Sequence, residues 1–234
     1  MQPAGGLNCP FNAHLNATIL RTPKSQGLRV TIRRTIPVFD IGNVLIRWDP
    51  HCLYRKLIPD EAERHDFLTR ICPGDWNLEM DRGKPFAQGV AERAALFPDK
   101  AELIRAYHER WVETLDGAID GTVAILEELR LLRVPCYAIT NFNHETFDIA
   151  AGHFPFLKSF EGIVVSGREG VLKPDLAIYE LLCRRHGLEA ADCLFIDDSA
   201  ANVAAARAAG MRAHHFSRPE GLRADLRAAG LALK

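Results

Sequence analysis

The stretch Pro37-Val38-Phe39-Asp40-Ile41-Gly42-Asn43-Val44-Leu45 places a single carboxylate at the end of a short apolar run, with a glycine two residues later. Such a run reads as a buried strand of a parallel sheet, and open α/β sheets carry their chemistry just beyond the carboxyl ends of the strands. Two further runs end in the same way: Tyr137-Ala138-Ile139 in Thr140-Asn141, and Cys193-Leu194-Phe195-Ile196 in Asp197-Asp198. Three strand ends thus carry acids and a hydroxyl towards one edge of a sheet.

Outward from this stretch the pattern is strand and helix in alternation, broken by one long helical interruption. Apolar spacing predicts helices over 51–58, 60–71, 84–96 and 100–115, with no convincing strand among them. Alternation then resumes, with helices over 122–132, 144–151, 175–186, 200–209 and 223–229 and strands over 135–139, 162–166, 193–196 and 212–216. This predicts an α/β fold: a doubly wound parallel sheet of Rossmann-like form, with an all-helical cap inserted after the first strand. The predicted division is a core of 35–48 and 117–234, a cap of 49–116, and a leader of 1–34. The cap leaves and rejoins at the carboxyl edge, so it is expected above the site.

The first 39 residues contain no Asp or Glu but carry Arg21, Lys24, Arg29, Arg33 and Arg34. The leader reads as a poorly ordered tail or an overextended start, with a transit-like segment as the alternative. An apolar fraction of 47% and a charged fraction of 25% are those of an ordinary globular protein. A net charge of -1 argues against a nucleic-acid partner, and no apolar run approaches the roughly 20 residues that span a bilayer. The six cysteines show no Cys-x-x-Cys spacing and read as reduced thiols, which predicts a cytoplasmic setting. The oligomeric state is left open.

Asp197-Asp198 resists a purely structural explanation, because two adjacent acids ending a buried strand repel unless a cation is present. A phosphate dianion approaching a carboxylate among three acids is repelled by all of them, and a divalent cation with a lysine makes that approach tolerable. Hard oxygen ligands with room left for water and substrate suit magnesium.

In order along the chain, Asp40, Thr140, Lys173 and Asp197-Asp198 resemble the four motifs of the haloacid dehalogenase-like hydrolases, over the span from Asp40 to Phe216. The resemblance implies that Asp40 is a nucleophile forming an aspartyl-phosphate, and that Thr140 and the Asn141 backbone hold the phosphoryl oxygens. It further implies that Lys173 neutralises nucleophile and phosphate, and that magnesium is held by Asp40, the Gly42 carbonyl, Asp197 and Asp198. Most phosphatases of that family carry a second Asp two residues after the nucleophile to protonate the leaving alcohol, and here that position is Gly42. Its loss is expected to cost about 10²- to 10⁴-fold in rate with a poor leaving group.

The Asp-x-Gly-Asn-Val form of the first motif is similar to that of bacterial sugar-phosphate phosphatases, such as those for glucose 1-phosphate. The expected function is therefore magnesium-dependent hydrolysis of a small phosphate monoester, with a sugar phosphate as the substrate suggested by that likeness. A 2-haloacid dehalogenase using Asp40 without metal is the alternative, but it leaves Asp197-Asp198 unexplained. A non-catalytic binding protein that keeps the pocket is a third reading. Within the cap, Pro73-Gly74-Asp75-Trp76-Asn77 and Met80-Asp81-Arg82-Gly83 read as a loop in which Trp76 stacks on a sugar face and Asp81 or Arg82 binds hydroxyls or phosphate; the competing reading is that Trp76 packs the cap and Arg82 pairs with Asp81. Asp49 and His51 are candidates for the replacement acid. His144 has helix capping as its competing explanation, and His214-His215 lack a third ligand at metal spacing.

Overall fold

The computed structural model describes residues 16–18 and 31–234. Most of the expected leader lies outside the described residues; of it, β1 (Asn16–Thr18) and β2 (Thr31–Arg33) pair as a two-stranded antiparallel ribbon. The principal sheet is five parallel strands: β3 (Ile36–Phe39), and, after the two strands of a second ribbon, β4 (Ile46–Trp48) and β5 (Leu115–Ala118), then β6 (Tyr137–Thr140), β7 (Gly162–Val165), β8 (Cys193–Asp197) and β9 (Arg212–His215). Their order is β7-β6-β3-β8-β9, which places the strand that ends at Asp40 in the centre. A central strand covered on both faces has no polar side, and all four residues of β3 are buried.

Successive side chains of β3 still go to opposite faces. Val38 packs with Ile139, Val164, Ile178, Tyr179 and Phe195, whereas Phe39 joins the larger cluster with Ala138, Val165 and Ile196. Helices cover both clusters: α6 (Asp120–Leu131), α7 (His144–His153), the short α8 (Ser166–Glu169), α9 (Leu176–His186), α10 (Ala200–Ala208) and α11 (Pro219–Ala228). The doubly wound parallel sheet expected from the sequence is the fold found.

Between β4 and β5 the chain is helical: α1 (His51–Leu57), α2 (Glu61–Asp66) continued by a π-helical turn Phe67–Ile71, α3 (Gly74–Asp81), α4 (Phe86–Leu96) and α5 (Ala101–Glu109). The expectation needs correcting at three places. The segment read as a loop around Trp76 is the helix α3, and β4 pairs antiparallel with β5 where no strand was expected. The helix expected over 100–115 ends at Glu109, is followed by a 3₁₀ turn Trp111–Thr114, and gives way to β5 at Leu115. The β4–β5 ribbon carries the chain out to the cap helices and back. Among the described residues no helix is long and apolar enough to cross a membrane.

Candidate active site

Asp40 follows β3 directly, and its backbone N–H still donates to the Ile196 carbonyl at 2.8 Å, so the neighbouring strand fixes where the carboxylate emerges. The chain then turns tightly. Asn43 takes a positive φ of 55°, which asparagine tolerates, and its Oδ1 accepts from the Trp48 backbone N–H at 3.1 Å. Asp40 is 7% exposed. Its Oδ1 accepts from the Ile41 N–H at 2.7 Å and from Lys173 Nζ at 2.8 Å, which leaves Oδ2 as the oxygen outside these two bonds.

Lys173 comes from the loop between α8 and α9. Asn141 holds that loop with both ends of its amide: Oδ1 accepts from the Lys173 N–H at 2.8 Å and Nδ2 donates to the Lys173 carbonyl at 3.0 Å. The buried ammonium bridges Asp40 to Asp197 Oδ2, the latter at 2.7 Å. Asp197, the last residue of β8, is itself tied down: Oδ1 accepts from the Ser199 N–H at 2.8 Å, and Asn202 Nδ2 donates to both carboxylate oxygens. Asp198 follows at the exposed side, and carboxylate oxygens of Asp40, Asp197 and Asp198 lie within 4.8 Å of one another.

The electrostatics follow from three acids facing one buried base. Burial pushes the Asp40 carboxyl up to about 7; Lys173 pulls it back and the Asp197 charge adds to the rise. Burial works against the Lys173 charge, yet the two carboxylates outweigh it and hold the ammonium above its ordinary value. Desolvation and then the Asp197 charge raise Asp198. One ammonium therefore leaves an excess of negative charge in an all-oxygen donor set. That is the chemistry of a hard divalent cation site, and the residues present fit magnesium. Thr140, at the end of β6, is 1% exposed, and its Oγ1 is buried without a protein hydrogen-bond partner.

Asp40, Gly42 and Asp198 open into a cavity of about 440 Å³ between the strand ends and the cap. Its wall is largely apolar: Trp48, Leu78, Phe86, Trp111 and Phe142 line it, with Trp111 edge-on to Phe142 at 5.6 Å. Among the described residues no lysine or arginine lines it. Because α3 is a helix, the residues it turns to the cavity are Gly74, Asp75, Asn77, Leu78 and Asp81, spaced three and four apart.

The same periodicity takes two expected substrate contacts away. Trp76 faces the cap interior, 5% exposed, with Nε1 donating to the Gly89 carbonyl at 3.3 Å and its ring edge-on to Tyr107. Arg82 follows α3 on the exposed side and lines an adjoining depression with Glu79 and Lys84, which shares Asp75 and Leu78 with the cavity. Neither lines the cavity above Asp40. The candidate replacement acids also stand elsewhere: Asp49 Oδ1 accepts from the His51 N–H at 2.8 Å, and His51 Nδ1 accepts from Arg64 Nε at 3.2 Å. His144 opens α7, and His214 pairs with Asp225. Of the pair Asp81 and Arg82 expected to bind substrate, Asp81 lines the cavity and Arg82 does not, while Asn202, given no role by the sequence, lines it as well. The i, i+3, i+7 series from Gly74 through Asn77 to Asp81 is the signal that would have turned Asp81 inward.

A family model described as haloacid dehalogenase-like hydrolase matches residues 38–210. The sesquiterpene phosphatase astK of Aspergillus oryzae is 28% identical over 193 residues, covering 77% of this chain and 88% of that protein. The drimenol cyclase drtB of Aspergillus calidoustus is 30% identical over 200 residues, 81% of this chain but 35% of that protein. Among solved structures, a HAD family enzyme from Bacteroides thetaiotaomicron, crystallised with magnesium and inorganic phosphate, superposes with a TM-score of 0.63 at 21% identity, over 79% of this chain and 94% of that one.

Proposed function

The chain belongs to the haloacid dehalogenase-like hydrolases, and from that premise we propose that it is a magnesium-dependent phosphatase that cleaves the monophosphate of a small, largely apolar alcohol through an aspartyl-phosphate on Asp40. The observation that carries this reading is the crowding of Asp40, Asp197 and Asp198 within 4.8 Å against the single ammonium of Lys173. A dehalogenase expelling halide has no need of that excess charge, and a binding protein gains nothing from it.

In this reading Asp40 Oδ2 attacks phosphorus while Oδ1 stays held by Ile41 and Lys173. The Thr140 hydroxyl, without a protein partner, turns to a phosphoryl oxygen, and the Asn141 backbone binds a second. Asn141's side chain keeps Lys173 in place to offset charge on both nucleophile and phosphate. Asp40, the Gly42 carbonyl, Asp197 and Asp198 would hold magnesium, which when bound supplies the positive charge that lets a phosphate dianion approach these acids.

The cavity wall favours an apolar alcohol over the sugar suggested by the first motif. Five apolar side chains, four of them aromatic, line the cavity beside the polar groups of Asp75, Asn77 and Asp81, and most of the surface they offer suits an apolar chain. The likeness to a sesquiterpene phosphatase supports the same choice. The test is phosphate release from a panel of alkyl and isoprenyl monophosphates and glucose 1-phosphate, with magnesium and with EDTA, alongside halide release from 2-chloropropionate. The expected result is magnesium-dependent hydrolysis with kcat/KM at least about tenfold higher for the apolar esters, a difference a few buried methylenes supply. A preference for glucose 1-phosphate would reverse the substrate assignment. Halide release without metal, and no phosphate release with it, would reverse the reaction class.

A further inference from the structure

The loop that carries Asp40 has no side chain at position 42, so nothing on it can give a proton to a departing alkoxide. In an in-line transfer the leaving oxygen departs on the side of phosphorus opposite the attacking one. With no side chain at 42, the wall of the cavity that faces the strand ends, the cap, is where a replacement donor can stand. There, α3 turns two acids to the cavity, Asp75 and Asp81. Asp75 is exposed at the rim, while Asp81 is 8% exposed.

Asp81 is also the one whose position is fixed. Its Oδ2 accepts from Asn77 Nδ2 at 2.9 Å, and Asn77 Oδ1 in turn accepts from the Tyr107 hydroxyl at 3.1 Å. Its backbone carbonyl accepts from Ser166 Oγ at 2.6 Å, and the Met80 carbonyl beside it accepts from Asn143 Nδ2 at 2.9 Å. These last two bonds tie the end of α3 to the loop that follows β6 and to the first residue of α8, so the carboxyl is registered against the strand ends.

Resting on the phosphatase reading above, we propose that Asp81 is the catalytic acid and base of this site, standing on the cap in place of the carboxyl absent at Gly42. In the first half-reaction an Asp40 oxygen bonds to phosphorus, the ester P–O bond breaks, and the Asp81 proton passes to the alkoxide oxygen, giving free alcohol and an Asp81 carboxylate. In the second, that carboxylate takes a proton from the water that attacks the aspartyl-phosphate, so phosphate leaves and both acids return to their starting state. The environment suits the task. Burial pushes the Asp81 carboxyl up to about 7 although the Asn143 N–H and the Lys173 charge pull it down, so protonated and ionised forms are both accessible near neutrality.

The experiment is kcat/KM of the magnesium-loaded wild type and Asp81→Asn on an alkyl monophosphate and on 2,4-dinitrophenyl phosphate. This parameter reports transfer to Asp40 and not the later hydrolysis. The expected loss is about 10²- to 10⁴-fold on the alkyl ester and less than about tenfold on the activated aryl ester, whose leaving group needs no proton. Thermal unfolding checks that the isosteric variant is folded. A second variant adds Gly42→Asp to Asp81→Asn, since a Cβ at 42 meets nothing within 4 Å, and should recover at least about tenfold on the alkyl ester. Equal losses on the two esters, or no loss on the alkyl ester, would overturn the assignment of Asp81 alone. A wild type inert towards both esters would overturn the phosphatase reading and this inference with it.

Discussion

Asp81 is where a single residue ties stability to chemistry. Its carboxyl stands at about 7 in the folded protein against an ordinary 3.8, raised chiefly by burial. An acid whose folded value is raised binds its proton more tightly folded than unfolded, so the folded state loses ground as pH rises from about 4 to 7. The full difference is on the order of 4 kcal/mol above that window. The ionisable groups facing it are the Lys173 ammonium from the core and the Tyr107 hydroxyl from α5. Asp40 contributes a fall of the same sign, so the wild type alone does not isolate Asp81. Urea unfolding in EDTA at pH 5 and pH 8 should show Asp81→Asn losing less stability across the interval than the wild type, by about 2–3 kcal/mol. Parallel losses in the two proteins would mean that the carboxyl titrates in its ordinary range.

Between elements, the junction that matters is one amide. Asn143 Oδ1 accepts from the Glu145 and Thr146 N–H groups and caps α7, while its Nδ2 donates to the carbonyls of Met80, at the end of α3, and Lys84 beyond it. Removing it abandons a helix cap, worth about 1 kcal/mol, and breaks two bonds to backbone carbonyls, about 1–3 kcal/mol more, although the Met80 carbonyl keeps the Gly83 N–H at 2.8 Å. Asn143→Ala is expected to destabilise by about 2–4 kcal/mol in urea, and Asn143→Asp, which keeps the cap but not the donor, should still destabilise. An Asn143→Asp variant as stable as the wild type would show that the bonds to α3 contribute nothing. These elements also separate what could be read from the sequence from what could not. Runs such as Cys193-Leu194-Phe195-Ile196 announce buried strands, and the residues that close them, Asp40, Thr140 and Asp197, come together at one edge. In α3 the apolar residues Trp76, Leu78 and Met80 fall two apart, and Gly74, Asp75 and Asn77 are poor helix formers. The helix forms there because Trp76 and Met80 are buried and its end is held by Asn143 and Ser166, contacts distant in sequence. Trp76 and Arg82 were misplaced for that reason, since a loop offers no rule for which side chain faces the site. The strands β4 and β5 are three and four residues long, and β5 contains Gly117.

At the scale of the molecule, cap and core share one apolar interior. A single cluster runs from Phe39 and Ile41 through Tyr54, Trp76, Phe86 and Tyr107 to Leu126 and Leu222. Such continuity predicts one cooperative unfolding transition. The three tryptophans, Trp48, Trp76 and Trp111, all lie in β4 or in the chain between β4 and β5, so their fluorescence reports that segment, whereas far-ultraviolet circular dichroism reports the whole. The two midpoints in urea should coincide, and a fluorescence transition preceding the other would mean that the helical segment melts alone. The bonds from Asn143 and Ser166 to the end of α3 have a last consequence. They fasten the far end of the lid beside the nucleophile, while the β4–β5 ribbon tethers its root, so the wall that carries Asp81 is anchored at both ends and cutting either anchor should loosen the acid as well as the fold.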